Sequence, residues 1–149
     1  MYSKSVEDYL EAIYNIVNRK GYARTKDLSR ELSVSPPSVT EMLKKLDEGG
    51  LVNYERYSGV TLTKKGGKIG RIVKTKHDTI KKFLNILLIS DKTADRDACN
   101  LEHELSPETI EQLTNFVRFV EKAPMYPKWL EHFKEFCISR EYVCEHAES

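Results

Sequence analysis

The stretch from Thr25 to Leu62 leaves this chain few ways to fold. Leu28 and Leu32 mark the inward side of a short helix, Lys26 to Leu32, with Thr25 as its cap. Ser33-Val34-Ser35 leaves room only for a tight turn, and Pro36-Pro37 follows. Proline suits a first helical turn, where its missing N–H would have no partner. A second helix is therefore expected from Pro37 to Glu48, burying Val39, Met42, Leu43 and Leu46 and stopping at Gly49-Gly50. Two short helices joined in this way form a helix-turn-helix. Ahead of them, Val6, Leu10, Ile13, Tyr14 and Val17 recur at helical spacing, placing an amphipathic helix from about Ser5 to Arg19 with Gly21 as its C-terminal cap. Behind them, Leu51–Arg56 and Val60–Thr63 are β-prone runs separated by Tyr57-Ser58-Gly59, a hairpin with glycine in the turn. Three helices and a hairpin in that order are a winged helix.

Such a unit implies double-stranded DNA as partner. Ser35, Pro37, Ser38 and Thr40 stand at the start of the second helix of the pair, where they would meet base edges or phosphates. Lys44 and Lys45 follow at positions suited to backbone phosphates, and Arg56, Tyr57 and Ser58 fall at the wing tip. The charge distribution agrees. Residues 1–90 carry 17 Lys/Arg against 10 Asp/Glu, whereas residues 91–149 carry 7 against 13. Polyanion contact is therefore expected of the first part. Apolar residues make up 40% of the 149, and the longest apolar run, around Phe83–Ile89, is too short to span a bilayer. Mostly polar residues follow Met1, so no secretory signal is expected, and the chain reads as cytoplasmic. Three cysteines, Cys99, Cys137 and Cys144, are an odd count and read as thiols or ligands rather than a disulfide framework.

The second half carries a different chemistry. Thr63 is placed to cap a helix running from Lys64 toward Leu88, which carries Lys64, Lys65, Lys68, Arg71, Lys74, Lys76 and then His77. In Ala94–Leu105, Cys99, Glu102 and His103 stand at i, i+3 and i+4, so a helix there would gather a thiol, a carboxylate and an imidazole on one face. Ser106 then caps a further helix with Pro107 at its first position and Glu108 in its first turn. On the first helix, Asp8 and Glu11 share a face. By spacing alone these two read as solvated acids; with His77 and the Cys99 cluster, groups on three helices can converge on one ion. Oxygen and nitrogen donors with one sulfur suit a divalent first-row metal better than calcium or magnesium.

These pieces together resemble the diphtheria-toxin-repressor family of metal-dependent regulators, and most closely its short manganese-transport-regulator branch. The resemblance runs from Ser3 to Val120. It is carried by Ser5–Tyr14, Gly21-Tyr22-Ala23-Arg24, Ser38–Met42, Leu62–Gly66, His77, and Cys99 to Ser106. It implies a metal-activated transcriptional repressor of manganese or iron homeostasis genes. Asp8, Glu11, His77, Glu102 and His103 match the manganese-type ligands. Cys99 departs from that branch, which has glutamate there, and resembles the iron-type branch instead; that branch carries methionine where this chain has Asp8. The site is thus a hybrid. Lys81 stands where the family often has an acid, so a second ion would be held less well. The SH3-like domain of the longer iron-type members is not expected.

Mn²⁺ or Fe²⁺ is the expected activator, with Zn²⁺ and Co²⁺ able to substitute, because a thiolate favours softer ions while Asp8 and Glu11 keep the site hard. Ile110, Leu113, Phe116, Val117 and Val120 give an apolar helix face, and the resemblance implies a homodimer on a palindromic operator, its recognition helices about 34 Å apart. Trp129, Phe133 and Phe136 belong to a last amphipathic helix. His132, Cys137, Cys144 and His146 match no closed zinc motif and read as core packing and a frayed tail. The expected architecture is mainly α: residues 1–70 a winged-helix DNA-binding domain with a two-stranded wing, residues 71–149 a helical dimerisation and metal-sensing domain. No nucleophile arrangement or substrate pocket suggests an enzyme. The remaining alternative is a winged-helix regulator answering a non-metal signal, with His77 and the acids incidental.

Overall fold

A computed structural model describes residues 2–142. Cys144 and His146, with the tail they belong to, lie outside the described residues. The chain divides into two units, Met1–Asp78 and Thr79–Ser149.

In the first unit, α1 (Lys4–Lys20) starts at Ser3, whose hydroxyl accepts the N–H of Val6 at 3.2 Å, and ends at Gly21. Gly21 takes φ +88 and donates to the carbonyl of Val17, a left-handed cap that favours glycine. The next helix, α2 (Thr25–Leu32), has Arg24 rather than Thr25 as its N-cap. The acceptor comes from inside the helix: Asp27 Oδ2 takes the N–H of Arg24 at 2.9 Å, so a threonine cap is not needed. Ser33, left-handed at φ +54, turns the chain into α3 (Pro36–Glu48), which begins one residue earlier than expected because Ser35 is the cap. Its hydroxyl accepts from the N–H of Ser38 at 3.4 Å.

The wing is β1 (Val52–Glu55) paired antiparallel with β2 (Gly59–Leu62), with Val52 opposite Leu62 and Tyr54 opposite Val60. Ala23 adds a short third edge: it exchanges two backbone hydrogen bonds with Val60, at 2.9 and 2.7 Å. That ties the α1–α2 linker to the wing. Leu10, Ile13, Leu28, Val39, Leu43 and Val60 are fully buried in one apolar cluster, and each such side chain contributes roughly 1.5–3 kcal/mol. Of the expected inward positions on α1, Leu10 and Ile13 reach the centre; Ile16 is buried where Val17 is only half-buried.

The helix α4 (Lys64–Ile86) is capped by Thr63, whose Oγ1 accepts the N–H of Gly66 at 3.1 Å and donates to the carbonyl of Gly50 at 2.7 Å. The boundary between the two units falls within this helix. Its opening holds three glycines, two of them at close approaches. A Cβ on Gly66 would lie 1.8 Å from the carbonyl oxygen of Leu51, and one on Gly70 would lie 2.7 Å from that of Leu10.

The second unit holds the rest of α4, then α5 (Asp91–Leu101), α6 (Pro107–Glu121) and α7 (Lys128–Ser139). Ser90 and Ser106 cap α5 and α6, with Pro107 in the first turn of α6. The helix expected through Leu105 stops at Leu101. Proline disfavours the α conformation in the residue before it, and Ser106 is extended at φ −67, ψ 157. The carbonyl of Leu101 accepts from both Glu104 and Leu105, closing the turn. Phe116 packs on Phe83 and Trp129, with ring centroids 5.7 and 5.9 Å away, and Val117 is buried. The apolar stripe of α6 thus serves this unit's own core in part, while Phe119, Met125 and Ile138 stay exposed. No helix among the described residues is long and apolar enough to cross a membrane.

Alanine at Gly66 should destabilise the protein by about 3 kcal/mol or more, since backbone must move to admit it. Alanine at Gly67, where the nearest atom to a new Cβ is 3.9 Å away, should be neutral or stabilising by up to about 1 kcal/mol. Thermal melts of the two variants check the contrast, and equal melting points would contradict the close approach.

Candidate metal centre and nucleic-acid interface

The exposed edge of the head is built from the starts of α2 and α3 and from the wing. Ser35, Pro37 and Ser38 are exposed at the opening of α3, where the hydroxyls of Ser35 and Ser38 lie 2.8 Å apart. Lys44 and Lys45 are exposed two turns on, with Lys45 3.7 Å from Glu41. Thr40 is half-buried rather than fully outward, because it lines a cleft between the helices and the wing. At the tip, Tyr57 is 94% exposed and held at φ +75, a left-handed conformation unfavourable for a residue with a side chain. The Arg56 guanidinium lies 5.3 Å from its ring centroid. The cleft encloses about 400 Å³ and is walled by Arg24, Thr25, Lys26, Thr40, Tyr54, Glu55, Arg56, Tyr57 and Gly59. Arg24 and Lys26 are residues that periodicity could not single out, because neither belongs to α3 or the wing.

The candidate metal donors sit on both units. In the first, Glu11 of α1 and His77 of α4 are 8% and 4% exposed, with Glu11 Oε1 3.9 Å from His77 Nδ1. Asp8 lies one turn before Glu11 and is half-buried. The expectation of a solvated pair of acids fails for Glu11. In the second unit, Glu102 is 1% exposed, and its Oε1 lies 3.2 Å from Nε2 of His103. Glu102 keeps helical dihedrals as the C-cap of α5, and His103 follows in the turn, so these two and Cys99 are not successive positions of one continuous helix. Cys99 itself is exposed. Lys81 is 3.5 Å from Asp95. Burying carboxylates is costly unless they are paired or bind a cation. Each carboxylate–imidazole pair offers a hard oxygen and a borderline nitrogen donor, types that suit a divalent first-row ion.

A winged-helix head followed by a helical unit with buried acid and imidazole donors defines a metal-responsive DNA-binding regulator. The comparisons with known proteins agree. The family profile "Iron dependent repressor, N-terminal DNA binding domain" matches residues 1–60, and "Iron dependent repressor, metal binding and dimerisation domain" matches residues 63–131. The chain is 39% identical over 134 residues to the HTH-type transcriptional regulator MntR of Lysinibacillus sphaericus (strain C3-41), covering 90% of this chain and 96% of that one. It is 38% identical over 135 residues to MntR of Bacillus subtilis (strain 168), covering 91% and 95%. Among solved structures it resembles the manganese regulator SloR, with 36% identity and a TM-score of 0.66, and T. acidophilum IdeR, with 29% identity and a TM-score of 0.70. It spans about half the length of each, 54% and 55%, while those matches cover 76% and 80% of this chain. The chain belongs to the iron dependent repressor family, the same family that the sequence resemblance indicated, and carries both its DNA-binding and its metal-binding and dimerisation domains.

Asp27 gives a pH-dependent start to α2. Its carboxyl sits below the usual carboxylate range, chiefly because Lys20 hydrogen-bonds it at 2.6 Å, helped by the N–H of Arg24 and opposed by burial. A depressed carboxyl stabilises the fold above its unfolded pKa, and that contribution disappears as pH falls through the lower folded value. Asp27→Asn should therefore melt below the wild type at neutral pH, with the gap closing in acid below the usual carboxylate range. A gap that stays constant from pH 7 to pH 3 would exclude this role.

Proposed function

We propose that this protein is a metal-activated transcriptional repressor of manganese or iron homeostasis genes. The observation that carries the metal switch is the pair of buried carboxylate–imidazole sets, Glu11 with His77 and Glu102 with His103. Asp8, Glu11, His77, Cys99, Glu102 and His103 form the proposed ligand set. A bound divalent cation would supply the positive charge that offsets these acids. In its absence the carboxylates of Asp8, Glu11 and Glu102 disfavour one another's approach, and the head is not held in a DNA-competent arrangement. Functionally, residues 1–70 bind DNA, while residues 71–149 dimerise and sense the metal. The reading is of a regulator, not an enzyme, acting in the cytoplasm.

Mn²⁺ or Fe²⁺ is the proposed physiological ion, with Zn²⁺ and Co²⁺ as substitutes. Relatives named as manganese regulators support manganese, and Cys99 supports the softer ion. Ser35, Pro37, Ser38, Thr40, Lys44, Arg56 and Tyr57 are the proposed DNA contacts. A second copy would cover the exposed Phe119, Met125 and Ile138, and the two-fold symmetry of such a homodimer calls for a palindromic operator.

Fluorescence anisotropy with DNA from upstream of the protein's own gene tests this at fixed salt, comparing chelator, Mn²⁺ and anaerobic Fe²⁺. Metal should tighten binding by about 5–150-fold, the range of a coupling worth about 1–3 kcal/mol. Asp8→Ala should lose most of that gain while keeping its helical content, and equal binding under chelator would remove metal as the switch. Cobalt loading examines the thiol separately. The wild type should show a thiolate charge-transfer band that Cys99→Ser abolishes, and a wild-type spectrum without the band would strike Cys99 from the ligand set.

A further inference from the structure

A cation is built into the second unit beside its metal-donor residues. Lys81 Nζ lies 3.5 Å from Asp95 Oδ1, an ion pair that links α4 to α5. Lys81 stands one turn after His77 on α4, and Asp95 stands one turn before Cys99 on α5. Residues four apart on a helix are surface neighbours, with Cβ atoms about 5–6 Å apart. The pair therefore adjoins a proposed ligand on each helix. Its side chains are 32% and 54% exposed, beside the buried Ile80 and Ala94. So open a pair adds little to stability, and the packing of the two helices does not require it. The neighbouring charges have partners of their own. Asp78, three residues before Lys81, pairs with Lys74 at 2.8 Å, and Lys82 pairs with Glu121 at 2.9 Å. On α5, Asp91 accepts from Asn85 at 3.0 Å, and Asp97 lies 3.5 Å from Arg96. Asp95 is the acid of α5 that stands one turn from Cys99, and an ammonium group faces it.

We propose that Lys81 is a built-in counter-cation that keeps Asp95 out of the ligand set and holds the protein to one divalent ion per subunit. The proposal rests on the reading of the protein as a metal-activated regulator and deepens it by naming the residue that sets the ion count. The six donors Asp8, Glu11, His77, Cys99, Glu102 and His103 are enough for one first-row ion. A second ion needs further donors, and Asp95 is the carboxylate that α5 places next to Cys99. The lysine ammonium has three N–H donors and no lone pair. It cannot ligate a metal, and it competes with one for the Asp95 oxygens. Its fixed charge also opposes a second cation beside it, well inside the screening length of about 8 Å at physiological salt.

The test counts Mn²⁺ bound to the full-length protein at saturation, by equilibrium dialysis and atomic emission. The wild type should hold one ion per subunit. Lys81→Glu sets a second carboxylate against Asp95 and should hold two, a doubling of bound Mn²⁺. Its metal-free form should melt below the metal-free wild type, because the two acids repel, and should gain more from Mn²⁺ than the wild type gains. Lys82→Glu makes the same change of charge one residue away, beside Glu121, and should still hold one ion. Combining Lys81→Glu with Asp95→Lys restores an ion pair in the reverse sense and should return the count to one. Circular dichroism of the metal-free variants reads folding. Should Lys81→Glu fail to fold, Lys81→Gln takes its place, since it removes the ammonium without adding a charge, and its count should again rise above one. Two ions in the wild type, or one in the folded Lys81 variants, overturn the proposal and leave the metal switch standing. Two ions in Lys82→Glu overturn it as well, because the count would then follow net charge and not the place of Lys81. A wild type that binds no Mn²⁺ overturns both the proposal and the metal-binding reading.

Discussion

The close approach of α4 to the head is the constraint on which the rest of the first unit depends. Gly66 and Gly70 are one turn apart, and their missing side chains let the helix backbone touch the carbonyls of Leu51 and Leu10. From Gly70 the same face continues through Val73 to His77, two turns on and also buried. The approach that seats Gly70 against Leu10 thus carries His77 to within 3.9 Å of Glu11, the residue after Leu10. A larger residue at either glycine would displace an apolar contact and a polar pair together. Fold and site share one contact surface here, so the glycines serve both.

Polarity inside that surface needs its own account. Glu11 and His77 are buried polar residues among the buried apolar Leu10, Ile13 and Val73 of the same two helices. An apolar pair of similar volume would pack without the desolvation cost of a carboxylate. Glu102 and His103 repeat the combination on a separate element, the turn that closes α5. Two unrelated segments thus each bury an acid beside an imidazole, a combination that packing alone does not call for.

Much of this was legible in the sequence, because most element boundaries are written by local chemistry. Thr63 and Ser106, caps that the sequence marks, each place a hydroxyl where an unpaired helix N–H needs an acceptor, and Ser3, Ser35 and Ser90, which the sequence reading does not single out as caps, do the same. Gly21 and Gly59 stand where positive φ is required. What sequence reading misplaced depends on longer range or on competing signals. The spacing of Cys99, Glu102 and His103 suggests one helix through them, but α5 ends at Leu101 and Ser106, ahead of Pro107, is extended. The bridge from Ala23 to Val60 joins residues 37 positions apart in the chain, which no local pattern reports. Burial of Glu11 was likewise hidden, since a carboxylate at i+3 from another reads as surface until the packing helix is known.

The cleft shows the same limit from the other side. Its cations come from residues 24, 26 and 56, and none belongs to the helix that spacing selected for base contact. A helix-turn-helix places its second helix in the groove, and base edges are read there. The charges on the flanking elements are placed by their fold and not by the motif. The linker bridge at Ala23 ties the residue before Arg24 to Val60 of β2 and so fixes the start of α2 beside the wing. A hydrogen-bonded pair of backbone amides, invisible to any reading of side-chain pattern, thereby decides where two of the three positive charges stand.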